Sequence, residues 1–215
     1  MESPHLMFFI YLAVPLSMML FVFKGRSRAL LGFLLAGVFM CLFAGEVNEL
    51  IRSETALSVR VLTVNVTPIV EEMLKAIPVV ALAILFKSDR QFLLECSIAV
   101  GVGFATMENA CLLFDSSAAL SAGMIVARGF GAGMMHGVST FTVGYFMTLV
   151  GSGKKFSFTG TVAALSVAII YHSIYNITVQ SAYPMLGILL PLVTFPLVII
   201  LSKRVPTTSI DDSCE

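Results

Sequence analysis

Apolar segments long enough to cross a lipid bilayer follow one another along nearly the whole chain. A helical crossing takes about 20 residues at a rise of about 1.5 Å per residue. The segments lie near residues 6–23, 29–51, 63–86, 91–114, 124–150, 158–180 and 183–201. Backbone polar groups inside hydrocarbon must be paired within the segment, so each segment is expected to be a helix. The sequence predicts an all-α, polytopic membrane helix bundle of about seven transmembrane helices.

The polar remainder of the chain is too small for a soluble domain. Charged residues make up 12% and hydrophobic residues 58% of the sequence, whereas soluble domains carry about 25% charged residues. We therefore predict a single transmembrane domain over residues 1–215, with the lipid bilayer as its surroundings. The formal net charge is +0 and no basic stripe occurs, so no nucleic-acid partner is expected.

The positions of the basic residues predict an orientation. Lysine and arginine accumulate in short cytoplasmic loops, and on one side of the predicted bundle they are frequent. They are Lys24, Arg26, Arg28, Lys87, Arg90, Lys154, Lys155, Lys203 and Arg204. The opposite side has only Arg52 and Arg60. This pattern predicts a multi-pass protein of the cell membrane with its N-terminus outside and its C-terminus inside.

Ionisable side chains interrupt four of the apolar segments. Such groups are costly in hydrocarbon, at least ~2.5 kcal/mol each on insertion scales, and they mark functional sites by default. They are Glu71, Glu72, Lys75, Glu108, His136 and His172. Counted along alternating helices, the acidic and imidazole groups fall roughly 10 to 18 Å below the outer surface. Because clustered groups can satisfy one another, we expect one polar site in the outer half of the membrane.

The third predicted helix carries three of these groups within five residues, Glu71-Glu72-Met73-Leu74-Lys75. Glu71 and Glu72 stand four and three residues before Lys75, so all three can share one wall of a helix. Two carboxylates in a dry site repel, which favours protonation of one, while the ammonium favours ionisation of the other. Such a split suits a general base and an orienting partner. The alternative is a buried ion pair that only locks two helices together.

The fourth predicted helix contains Phe104-x-x-x-Glu108-Asn109, preceded by Gly101 and Gly103. Phe104 and Glu108 are one turn apart, and the two glycines would allow another helix to approach closely.

The fifth and sixth predicted helices each supply one histidine. His136 lies beside small residues at four-residue spacing, Gly129, Gly133 and Gly137, which predict a packing ridge. His172 and Asn176 lie one turn apart. A single intramembrane histidine can also be a structural hydrogen-bonding group, but two at the depth of three glutamates favour a functional site.

Taken together, these motifs resemble the PrsW family of intramembrane proteases, within the CAAX-protease and bacteriocin-processing superfamily. The resemblance runs in order through residues 65 to 180, and Asn176 departs from it where some relatives have aspartate. It implies an intramembrane endopeptidase with a catalytic core at about 63–180. Its implied substrate is a membrane-anchored regulatory protein, such as an anti-sigma factor, cleaved near the outer membrane surface.

The expected chemistry is activation of a water molecule by a carboxylate. We expect Glu71 or Glu72 to deprotonate the water and His136 and His172 to position it or to stabilise the oxyanion. Glu108 completes the catalytic set. The expected supporting residues are Lys75, which tunes the glutamate pair, and Phe104, Asn109 and Asn176.

The sequence leaves the cofactor open between none and a divalent metal such as zinc. Histidine and glutamate are ordinary zinc ligands, and a metal would take Glu72, Glu108, His136 and His172. No HExxH motif occurs, so metal-free activation of water is the preferred expectation.

Two other function classes use the same residues. A proton- or cation-coupled transporter could use them as a relay, although the chain has no internal repeat. A non-catalytic membrane scaffold could keep them for helix specificity.

Overall fold

Seven long helices make up nearly all of the described protein. The computed structural model describes residues 4–85, 89–115, 122–150 and 158–205. The helices are α1 (Pro4–Val22), α2 (Gly25–Glu54), α3 (Thr67–Leu85), α4 (Arg90–Asp115), α5 (Ala122–Val150), α6 (Phe158–Val179) and α7 (Pro184–Arg204). Each coincides with one predicted segment, so the predicted all-α bundle is confirmed. The largest differences are at the two ends of α2, at the start of α3 and at the end of α7, where the sequence places the boundaries a few residues away.

The bundle has the dimensions and surface of a membrane protein. Among the described residues, four helices are long and apolar enough to cross a membrane, namely α2, α4, α6 and α7. Of the others, α1 is apolar but shorter, and α3 carries three charged residues in its middle. Large apolar side chains, among them Phe21, Leu85 and Val193, point outward and are exposed. In water this surface would be unfavourable, whereas lipid tails accommodate it.

One end of the bundle gathers the start of α2 and the start of α4. Arg26 lies 3.5 Å from Asp89 Oδ2, and its Nε donates to Glu95 Oε2 at 2.9 Å. Arg26 and Arg90 therefore lie on the same side, as the alternating helix directions require. Lys87, Lys154 and Lys155 fall outside the described residues, and the orientation relative to the membrane stays a prediction.

Helix α4 packs closely against α2 and α5 through glycines. A Cβ at Gly101 would overlap the backbone of His136, and one at Gly103 would overlap the backbone of Leu34. Gly37 of α2 meets the backbone of Val100 in the same way. The expectation that Gly101 and Gly103 permit a close approach is thus met, and the approach holds the His136 segment against α4.

The glycine ridge predicted on α5 does not pack as expected. A Cβ at Gly129 or at Gly133 would meet no atom within 4 Å, and only Gly137 faces a neighbour, the Phe195 ring at 3.2 Å. The regular spacing predicted one continuous contact surface, but at Gly129 and Gly133 no neighbouring helix comes close. The close approach of α5 to α4 uses Gly137, whose Cα would lie 2.9 Å from a Cβ at Gly101, and Gly144, whose own Cβ would overlap the Ser97 side chain.

A short π-helical segment, Leu62–Val66, leads into α3. Single π-helical turns recur at functional sites because they re-aim the residues that follow. Asn176 of α6 donates from Nδ2 to the Thr63 carbonyl oxygen at 2.9 Å, and Gln180 bonds the Thr63 hydroxyl at 3.2 Å. The end of α6 therefore fixes the entry into the helix that carries Glu71 and Glu72.

We predict that Gly101→Ala destabilises the protein by ~1–3 kcal/mol, the typical effect of overpacking, because its methyl group would collide with the His136 backbone. Gly133→Ala is the matched control in the neighbouring helix, since nothing lies within 4 Å of its Cβ. Unfolding in mixed detergent micelles with increasing dodecyl sulfate measures both. Equal stabilities of the two variants would contradict the close contact of α4 and α5.

Candidate active site

Helix α3 turns its charged face into the bundle. Lys75 and Glu72 are 0% and 1% exposed, and Glu71 is buried as well. Contact with lipid would leave these groups unsolvated, so their burial among other polar groups is the favourable arrangement. This face of α3 forms one wall of the candidate site.

A single oxygen of Glu72 accepts hydrogen bonds from three helices. Glu72 Oε1 accepts from Lys75 Nζ at 2.5 Å, from His172 Nδ1 at 2.7 Å and from Ser139 Oγ at 3.2 Å. Of the two glutamates within one turn of Lys75, Glu72, three residues before it, is therefore the one in direct contact. Ser139 was not among the predicted site residues, although its position one turn after His136 is the signal that would have found it.

His136 is held at both of its ring nitrogens. Nδ1 lies 2.7 Å from Lys75 Nζ and Nε2 lies 2.8 Å from Glu108 Oε2. Because a lysine ammonium has no acceptor, Nδ1 accepts and the ring proton lies on Nε2, from which it is donated to Glu108. This assigns a neutral imidazole between a cation and a carboxylate.

His172 faces Glu72 with one ring nitrogen and Glu71 with the other. Its Nδ1 donates to Glu72 Oε1, so in the neutral ring Nε2 keeps a lone pair, and it lies 3.8 Å from Glu71 Oε2. A carboxylate behind a histidine fixes its tautomer and ring orientation, as is usual around protein-bound metals.

The groups from α3, α5 and α6 converge on one point. The rings of His136 and His172 are 5.0 Å apart between centroids. One donor atom each of Glu71, His136 and His172 lies within 4.8 Å of the other two. Thus the histidines predicted for one site lie side by side rather than across the bundle.

The same three residues form a donor set that suits a divalent metal. Glu71 Oε2 is buried and has no hydrogen-bond partner in the described ranges, and two imidazoles with a carboxylate are a common zinc ligand set. The set differs from the predicted one, because Glu71 stands where Glu72 and Glu108 were expected. Glu72 and Glu108 lie behind the histidines as hydrogen-bond acceptors.

Phe104 and the two asparagines occupy different surroundings. The buried Phe104 ring lies 5.0 Å from the His136 ring and 4.8 Å from Lys75 Nζ, a cation–π distance. Asn176 instead bonds Thr63. Asn109 Oδ1 is buried and has no partner in the part of the chain that the structure describes. Of the predicted supporting residues, Lys75 and Phe104 therefore contact the site directly.

Arg128 lies at the partly exposed edge of the site. Its Nη2 lies 3.4 Å from Glu108 Oε1, with the two side chains 41% and 25% exposed. Glu108 thus connects the buried histidine to a partly exposed arginine.

One comparison with known proteins identifies the chain. The family model described as "PrsW family intramembrane metalloprotease" matches residues 15–201, most of the sequence. No curated protein and no solved structure matches the chain significantly. The matched range includes every residue of the site described above.

We predict that Lys75→Met destabilises the protein by ~3–5 kcal/mol, because it leaves the charge of Glu72 buried without its cation. The double variant Lys75→Met/Glu72→Gln should be more stable than the single one, since it removes both charges. Arg52→Met is the matched control, because Arg52 and Glu49 form the same three-residue pair on the surface and should contribute little. Detergent unfolding of all variants measures this, and a double variant that is no more stable than Lys75→Met would contradict the pairing.

Proposed function

Because the chain belongs to the PrsW family and is an intramembrane protease, we propose that Glu71, His136 and His172 form its hydrolytic centre. The reaction is hydrolysis of a peptide bond in a membrane-anchored protein. Membership in this family supports a protease rather than the two alternative functions, a coupled transporter and a non-catalytic scaffold. The sequence region that we propose as the catalytic core is residues 63–180.

The observation that carries this proposal is the unpartnered carboxylate oxygen facing an oriented imidazole. Glu71 Oε2 is buried without a hydrogen-bond partner in residues 4–205 as far as these are described, and His172 Nε2 lies 3.8 Å away. Leaving a buried charged acceptor unsatisfied is unfavourable by ~1–3 kcal/mol or more. A reactant that bridges Glu71 and the histidines would remove this penalty.

The residues around this centre have separate tasks. Glu71 takes part in activating the attacking water, either as the acceptor of its proton or, with a metal bound, as a ligand of the metal that activates it. Glu72 keeps the proton of His172 on Nδ1, so that Nε2 faces the reactant. Lys75 donates to Glu72 and holds its carboxylate in place. Glu108 accepts from His136 and fixes the plane of its ring, as outer carboxylates do for catalytic histidines.

We further propose that the cofactor is a divalent metal such as zinc, held by Glu71, His136 and His172. A metal bound there would act as a Lewis acid that activates water and polarises the scissile carbonyl. The donor set within 4.8 Å and the family's description as metalloproteases favour this over the metal-free expectation from the sequence.

The resemblance and the charge pattern support a proposal for the substrate and the location. We propose cleavage of an anti-sigma-factor-like regulatory protein, in the cell membrane, with the N-terminus of the protease outside. The site lies toward the bundle end formed by the start of α3 and the ends of α4 and α6. In the proposed orientation this end faces outward, and cleavage occurs near the outer surface.

We predict that Glu71→Gln lowers the cleavage rate about 100-fold or more, in the range of lost acid–base catalysis. The variant keeps the shape of the side chain and should fold. Glu46→Gln is the control, because Glu46 is an exposed carboxylate of α2 and should leave cleavage unchanged. A reconstituted membrane-anchored substrate followed by gel shift gives the rate. Full activity of Glu71→Gln would refute the proposed centre.

We predict that the wild-type protein, purified without added metal, contains stoichiometric divalent metal and that Glu71→Gln and His172→Ala lose it. Elemental analysis of purified protein measures this independently of activity. Cleavage should stop with a chelator and return with zinc. Metal-free protein whose activity resists the chelator would establish the metal-free mechanism instead.

A further inference from the structure

A second feature of the bundle lies beside the hydrolytic centre and outside it. A cavity of about 760 Å³ opens between the end of α4, the start of α5 and the corner between α6 and α7. Its wall is mostly apolar, with side chains such as Leu113, Met185 and Ile188. Its volume is that of a ligand-binding cleft.

Two polar atoms of this wall lack partners. Asn109 Oδ1, an acceptor, and Arg128 Nε, a donor, are each buried without a hydrogen bond in the described ranges, and both residues line the cavity. Buried polar atoms are almost always paired in native proteins. Their presence in an apolar wall points to a ligand that brings one donor and one acceptor.

The cavity is connected to the hydrolytic centre through one carboxylate. Arg128 Nη2 lies 3.4 Å from Glu108 Oε1, and Glu108 Oε2 lies 2.8 Å from His136 Nε2. Arg128 thus belongs to the cavity wall and contacts the outer partner of a histidine of the site. A chain that lies in the cavity would be adjacent to the hydrolytic centre.

The chemistry of a membrane peptide fits these features. A transmembrane helix pairs all its backbone groups internally, but a protease needs an extended bond. Unwinding frees backbone N–H and C=O groups, which then need partners away from water. Asn109 Oδ1 can accept from such an N–H, and Arg128 Nε can donate to such a C=O. A lipid chain would satisfy neither atom.

We propose that this cavity binds an unwound, apolar stretch of the substrate's membrane anchor, and that Asn109 and Arg128 are positioning residues that hold its backbone. The inference rests on the proposed function and names the substrate segment for that site. It predicts recognition by main-chain hydrogen bonds and apolar contact rather than by one particular side chain.

Crosslinking tests the docking without requiring cleavage. A photoreactive amino acid replaces Leu113 in the cavity or, as a control, Ile84, which is equally exposed on α3 outside the cavity. The probes are two synthetic transmembrane peptides of leucine and alanine, one with a Gly-Pro pair near one end and one without. The expected result is capture of the Gly-Pro peptide at position 113, several-fold above the unbroken peptide and above position 84.

Two results would overturn the proposal: capture of phospholipid alone at position 113, or equal capture of both peptides at both positions. Because capture is scored separately from hydrolysis, specific capture with no cleavage would refute the proposed protease chemistry and support the docking surface. Cleavage without specific capture would support the proposed protease chemistry and refute the docking surface.

Kinetics test the two positioning residues. Asn109→Ala and Arg128→Lys, which keeps the charge but lacks Nε, should each raise KM about 3- to 10-fold, the effect of one hydrogen bond, with kcat little changed. Thr106→Ala is the control, because Thr106 is an exposed residue one turn earlier on α4 whose hydroxyl bonds only Val102 O among the contacts described. A fall in kcat and stability at unchanged KM would show a merely structural role and overturn the assignment.

Discussion

One carboxylate oxygen holds the interior of this bundle together. Glu72 Oε1 receives a lysine of its own helix, a serine of α5 and a histidine of α6. A buried carboxylate or ammonium is unfavourable alone in the membrane, and here the two are paired with each other and with neighbouring polar groups. The faces that α3, α5 and α6 turn inward are set by this shared requirement. The proposed hydrolytic centre therefore lies where hydrogen bonds link three helices to one another.

The hydrogen bonds around Glu72 require closely packed helices, but in lipid no hydrophobic effect drives helices together as it does in water. Apolar side chains gain little by leaving hydrocarbon, so association depends on tight packing and interhelical hydrogen bonds. Gly101 permits tight packing because it leaves room for the backbone at His136. The Glu108–His136 contact provides an interhelical hydrogen bond. Both contacts join α4 to α5 at His136. The tight packing and the hydrogen bond thus join the same pair of helices.

The sequence predicts the bundle well because two physical constraints on membrane helices, the length of a span and the free-energy cost of buried charge, have large effects that do not depend on structural detail. A span of about 20 apolar residues fixes the helices, and the insertion penalty marks the buried ionisable groups. Depth counted along a helix is resolved to about one turn, roughly 5 Å, whereas hydrogen bonds are decided within a few tenths of an ångström. Hence the convergence of His136 and His172 could be predicted, but the open oxygen of Glu71 and the use of Asn176 on Thr63 could not. The contact predicted for the glycines of α5 was wrong at Gly129 and Gly133. A regular spacing shows which residues share a helix face but not which neighbouring helix lies opposite that face.

The two histidines differ in readiness to bind a ligand, and the difference lies in their partners. His172 has its proton fixed on Nδ1 by Glu72 and leaves Nε2 open toward Glu71. His136 uses Nδ1 for Lys75 and Nε2 for Glu108, so a ligand must replace one of these contacts. Lys75 has alternatives in Glu72 and Ser139, and Glu108 has one in Arg128. Every group displaced from His136 therefore keeps a partner, so binding at the centre leaves no charge stranded in the membrane.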